Sequence, residues 1–144
     1  MTLLAYGRPF WPLFLHVLGA MTLFGAVSAA AVILFAAHRR PDALVLRRAA
    51  FTSLLVAIPA WAVTLACAYW IESDEGLSNA NATWLGIGHG VLEPGLVVLL
   101  AAIGCTYWWK RTGAAIAGRI AAGVTSVYLV LLVVAFLAMT GKWG

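Results

Sequence analysis

The sequence predicts an all-α fold: one integral membrane domain over residues 1–144, a four-helix transmembrane bundle running up-down-up-down with both termini outside. Three observations predict it. The 144 residues are 64% hydrophobic and only 10% charged, with a mean hydropathy of +0.98, whereas a soluble domain carries about a quarter charged residues. The apolar residues fall in four stretches, each long enough for a helix to cross ~30 Å of hydrocarbon, which takes ~20 residues. The Lys and Arg residues gather in two of the connections instead of spreading over a surface. This composition excludes a soluble globule, a disordered chain and a nucleic-acid-binding domain, despite a net charge of +4.

The first span, approximately 10–37, carries no formal charge from Phe10 to Ala37. It lacks a basic leader and far exceeds the ~7–15 apolar residues of a signal peptide, so a retained span is expected. The second, approximately 49–71, is bounded by Arg48 and Glu72. The third, approximately 84–109, runs from Trp84 to Trp109 with one acid inside it, Glu93. The fourth, approximately 115–140, is charge-free from Ile120 to Thr140 and is reached through the run Gly113 to Arg119. Helices are required because lipid offers the backbone no hydrogen-bond partner. Small residues are expected at the helix contacts: Gly19, Gly25, Ser28, Ala29 and Ala30 in the first span, Gly118 and Gly123 in the fourth.

Orientation follows from the basic residues. Arg39, Arg40, Arg47, Arg48, Lys110, Arg111 and Arg119 fall on one side, and only Arg8 and Lys142 on the other, with Glu72, Asp74 and Glu75. The richer side is cytoplasmic by the positive-inside rule. Trp11, Trp70, Trp84 and Trp143 then mark the outer ends of the spans, and Tyr107, Trp108 and Trp109 the inner end of the third. Trp61 is mid-span, a packing residue or a cofactor neighbour. Cys67 and Cys105 lie most of a bilayer apart, too far for a disulfide, which needs Cα atoms within ~7 Å.

Ionisable groups inside hydrocarbon are costly, so each asks for a partner or a role. His38 beside Arg39 and Arg40 reads as interfacial; His16, His89 and Glu93 remain. His16 follows Trp11, and His89 follows Trp84, by the same interval, which puts both imidazoles ~7–8 Å below the outer belt at 1.5 Å rise per residue. Two histidines at one depth on parallel helices match the needs of axial haem ligation. Gly19 lies one turn below His16, and Gly86, Gly88 and Gly90 flank His89, leaving room for a macrocycle or for close helix packing. Glu93 shares the His89 face one turn deeper and precedes Pro94, which frees a backbone carbonyl. It is a candidate proton or quinone site, a third ligand with the histidines for a transition metal, or a hydrogen bond between helices.

The segment Leu13-Phe14-Leu15-His16-Val17-Leu18-Gly19-Ala20 resembles the opening of small bacterial four-helix integral membrane proteins. These include a predicted membrane protein family of unknown function and the copper-resistance-D-like proteins, whose first span often begins with a Leu-His-x-x-Gly-type pattern. His16 and Gly19 carry the likeness, which implies a multi-pass protein of the bacterial inner membrane. The residues lead to a small b-type haem protein as the first expectation. In it His16 and His89 bind the haem iron, Gly19, Gly86 and Gly90 line the cofactor, and Glu93 serves a quinone. It would pass electrons between quinol and a partner, within the lipid bilayer and alongside other membrane subunits. A non-catalytic accessory or assembly subunit without cofactor is the alternative, and a metal-binding or transport protein the third.

Overall fold

Four helices carry the chain: α1 (Phe10–Ala37), α2 (Leu44–Glu75), α3 (Thr83–Thr112) and α4 (Ala115–Gly141). A computed structural model describes residues 10–37, 40, 44–76 and 83–141. Arg8, His38, Arg39, Lys142 and Trp143, and the side chain of Trp84, lie outside the described residues. All four helices are long and apolar enough to cross a membrane, and the protein is a multi-pass membrane protein. α1 coincides with the expected first span. α2 runs past both ends of 49–71, taking Arg47 and Arg48 into its first turns and Glu72 to Glu75 into its last. Helical hydrogen bonding does not stop where the hydrocarbon does, since the headgroup layer solvates the charged side chains while the backbone stays paired.

Each helix packs on two neighbours: α1 on α2 and α4, and α3 on α2 and α4. Among the described residues α1 and α3 therefore stand on one diagonal of the bundle and α2 and α4 on the other. The α1–α2 and α3–α4 seams are the closest, and the other two are more open. Small residues explain the close seams. Lipid tails are as apolar as leucine, so helices associate through tight van der Waals packing, which alanine and glycine permit. Ala57, Ala60, Ala102 and Ala135 are buried with Leu23, Val27, Leu54 and Leu99 in the larger core cluster. Leu34, Ala37, Ala50, Trp109, Ala117 and Ala121 make a second cluster near the other end. Outside, large apolar side chains such as Val32, Val97 and Phe136 face the surroundings, as a lipid-facing surface requires.

Two glycines set the closest approaches. A side chain at Gly19 would lie 2.7 Å from Thr64 Oγ1 and 3.2 Å from the backbone of α2. One at Gly118 would lie 2.8 Å from the Trp109 indole. Trp109 is therefore core, not belt: it is 2% exposed and packed by Gly118 and the Arg47 guanidinium. Gly25 and Gly123, expected at contacts, face open space. Hydroxyls inside the bundle mostly turn back on their own helix: Thr64, Thr106 and Ser126 each donate to the carbonyl four residues earlier. Trp61 does not follow an apolar packing role alone, since its Nε1–H donates to Leu92 O at 2.7 Å and ties α2 to α3. α3 ends at Gly113, whose φ of 69° suits glycine and lets its N–H bond Trp109 O at 2.8 Å.

Candidate functional site

The last turns of α2 and the first turns of α3 each offer a pair of polar side chains on one face. Tyr69 and Glu72 are three apart, and His89 and Glu93 four apart, the spacings at which helical side chains lie one above another. Across the α2–α3 seam these pairs meet. His89 Nε2 is hydrogen-bonded to the Glu72 carboxylate, and His89 Nδ1 to Glu93 at 3.1 Å. Tyr69 O–H donates to the same Glu93 oxygen at 2.5 Å, and the Tyr69 and His89 rings lie 5.0 Å apart. The result is a continuous chain Tyr69–Glu93–His89–Glu72.

This chain has two sides. The Glu72 side chain is 17% exposed and His89 24%, whereas Glu93 is 50% exposed. Tyr69 is likewise on the outer surface of the bundle. Glu93 and Tyr69 thus face away from the bundle, while Glu72 and His89 face inward onto a cavity of about 110 Å³. All four helices contribute to that cavity: His16 from α1, Glu72 and Glu75 from α2, Gly88 and His89 from α3, and Met139 from α4. Its volume has room for several ordered waters, each needing roughly 10–15 Å³ of such space, and falls below the ~300 Å³ at which small-molecule sites begin.

Proton counting constrains the chain. A neutral imidazole has one N–H and one lone pair, but each edge of the His89 ring meets a carboxylate. Either the ring carries both protons, or one of the carboxyl groups carries one. The two forms differ by moving a proton along existing hydrogen bonds, which is the chemistry the arrangement can perform.

The expected site residues are distributed unevenly. His16 and His89 line one cavity, and Glu93 is bonded to His89. His16 Nδ1–H donates to Thr64 O at 2.9 Å, which fixes the ring and leaves Nε2 as the acceptor nitrogen. Gly19 packs on α2 and lies outside the cavity lining; Gly86 and Gly90 face open space, and Gly88 between them is the glycine on the cavity, against Met139. Both nitrogens of His89 are held by carboxylates, so a bond from His89 to iron requires Glu72 or Glu93 to let go. The carboxylates take opposite edges of the ring, and among the described residues no group of three His, Cys, Asp or Glu side chains is disposed to hold a metal ion. Cys67 and Cys105 are both free thiols.

Tyr69 and Glu72 were not among the expected site residues. Glu72 reads in the sequence as the polar end of a span, and only its spacing from Tyr69 and its level opposite His89 signal otherwise. Compared with known protein families, curated proteins and solved structures, the chain matches none of them.

Proposed function

We propose that this chain is a proton-exchanging subunit of a quinol-linked electron-transfer assembly in the bacterial inner membrane. The Glu93 carboxylate, held by the Tyr69 hydroxyl, takes a proton from a membrane-soluble quinol at the lipid-facing edge while a redox-active partner subunit takes the quinol's electrons. His89 and Glu72 pass it to the cavity and the outer water. The observation that carries this reading is the hydrogen-bonding of His89 by two carboxylates, one turned outward and one toward the cavity. A carboxylate half exposed at membrane depth is costly and is retained where it has a partner or a path to serve.

The orientation belongs to the same reading. Along the α3–α4 seam Gly88 meets Met139, Gly95 meets Tyr128, and Trp109 meets Gly118. Along the α2–α3 seam Phe51 meets Tyr107, and Trp61 meets Leu92. Residue numbers rise on one helix as they fall on the next, which supports an up-down-up-down course. The basic residues at one end then favour both termini outside, with the cluster in the outer half.

A second reading, b-type haem between His16 and His89, draws on one observation. A backbone carbonyl orients His16 through Nδ1, as it does in many metal-bound imidazoles. It requires the outer ends of the helices to part beyond the present cavity and His89 to exchange a carboxylate for iron.

Infrared difference spectroscopy of the protein in lipid nanodiscs, between two pH values and with or without a short-chain quinol, tests the proposal. A carboxyl band that responds to both and disappears in Glu93→Gln is expected, with Glu72→Gln removing only the pH response. A wild-type spectrum without any quinol-sensitive carboxyl band overturns the proposal and leaves the cluster a tie between helices. A Soret band after haem reconstitution, lost in His16→Ala and His89→Ala, would install the second reading.

A further inference from the structure

The opposite end of the α2–α3 seam has a different composition. Phe51 of α2 and Tyr107 of α3 face each other across it, ring centroids 5.8 Å apart and planes at 45°. Lys110 Nζ lies 4.1 Å from the centre of the Phe51 ring and 5.3 Å from that of Tyr107. The Arg111 guanidinium lies over the Tyr107 ring at 5.6 Å from its centre. Helical spacing places Arg48 one turn beyond Phe51 on the same side of α2. An aromatic floor thus gathers Lys110 and Arg111, both from α3, and helical spacing puts Arg48 of α2 at the same mouth. Arg47 takes no part, because its guanidinium is turned to Trp109 and the Gly113 turn.

These cations have no carboxylate near them among the described residues. The acids described are Glu72, Asp74, Glu75 and Glu93, all at the far end of the helices, and Asp42 lies outside the described residues. Stacking on a ring occupies one face of a cation and leaves N–H donors on the other side for an anion. The mouth also opens on an apolar track. Leu55 and Leu100, further along the same faces of α2 and α3, are 41% and 50% exposed, and this seam is one of the two open ones.

We infer that this end of the α2–α3 seam binds an anionic phospholipid, its phosphate held by Arg48, Lys110 and Arg111 and an acyl chain lying along Leu55 and Leu100. Charge complementarity selects an anionic headgroup over a zwitterionic one. The apolar track below the cations selects a lipid over free phosphate, which has no use for it. The inference is independent of the proton chemistry at the other end.

Native mass spectrometry of the purified full-length protein, with phosphatidylglycerol, phosphatidylcholine or inorganic phosphate added, tests it. Phosphatidylglycerol is expected to bind in preference to phosphatidylcholine. Each cation removed should weaken it about fivefold, the effect of one Lys or Arg near an anionic surface. Lys110→Gln/Arg111→Gln should therefore weaken phosphatidylglycerol binding about 25-fold and Arg48→Gln about fivefold, while Lys142→Gln leaves it unchanged. Phe51→Leu keeps every charge and should weaken binding less than removing Lys110. Circular dichroism confirms that each variant is folded before it is compared. Equal binding of phosphatidylglycerol to wild type and Lys110→Gln/Arg111→Gln overturns the inference, as does inorganic phosphate displacing the lipid at equal concentration.

Discussion

Gly19→Ala sets the α1–α2 contact against a control on the same helix. The new methyl would lie 2.7 Å from Thr64 Oγ1, about 0.7 Å inside ordinary contact at 3.4 Å, and 3.2 Å from both Ala60 O and Thr64 N. Thr64 cannot swing freely aside, because its hydroxyl is bonded to Ala60 O at 2.7 Å, and the other two atoms are backbone. The helices must therefore separate. Overpacking of this kind costs about 1–3 kcal/mol. Gly25→Ala makes the same chemical change in the same helix where nothing lies within 4 Å. The gain in helix propensity is common to both, up to about 1 kcal/mol in water, so the difference between the two variants isolates the clash. Gly25→Ala should match or exceed wild type, with Gly19→Ala about 1–3 kcal/mol below it. Gly19→Ala/Thr64→Ala should recover part of the loss, since only the backbone contacts remain. Equilibrium unfolding in mixed micelles, followed by circular dichroism, gives the comparison. Equal stability of the two alanine variants would refute the close approach of α1 and α2 at this level, and with it the anchoring of His16 on Thr64.

Two further outcomes are expected. Gly118→Ala drives a methyl against the rigid Trp109 indole, 2.8 Å from its Nε1; it should destabilise by about 1–3 kcal/mol and red-shift tryptophan emission as the ring is displaced toward water. Double-mutant cycles should couple His89 to Glu72 by about 1.5–3 kcal/mol, the range for hydrogen bonds to charged groups, and should couple His89 to Glu93 less, because Glu93 is half exposed.

The helices were legible because the physics that makes them is one-dimensional. A run of apolar residues long enough to span hydrocarbon must be helical, and α1 begins and ends where its charge-free run does. The site was legible only in part. His89 and Glu93 stood out as ionisable residues inside a span, and their four-residue spacing already placed them together. Tyr69 and Glu72 did not, because they join the site through the pairing of α2 with α3, and a periodic pattern within one helix carries no information on the register between two. The same limit explains Trp109. Its neighbours Tyr107 and Trp108 are exposed as an interfacial aromatic should be, and only the glycine on α4 opposite it decides that Trp109 goes inward. Gly86, Gly88 and Gly90 look alike in sequence, yet their alternation around the helix puts Gly88 alone on the cavity.

The unequal seams have a consequence for biogenesis. The close pairs are consecutive in the chain, α1 with α2 and α3 with α4, so each is a helical hairpin that can leave the insertion machinery as a unit before the other is made. The polar chain is divided between them: Tyr69 and Glu72 travel with the first hairpin, His89 and Glu93 with the second. Until the two dock, Glu72 of the first hairpin lacks its imidazole partner, whereas Glu93 of the second already has His89 one turn away on its own helix. Docking brings Glu72 to the imidazole that already holds Glu93, so the polar chain is complete only when both hairpins are present.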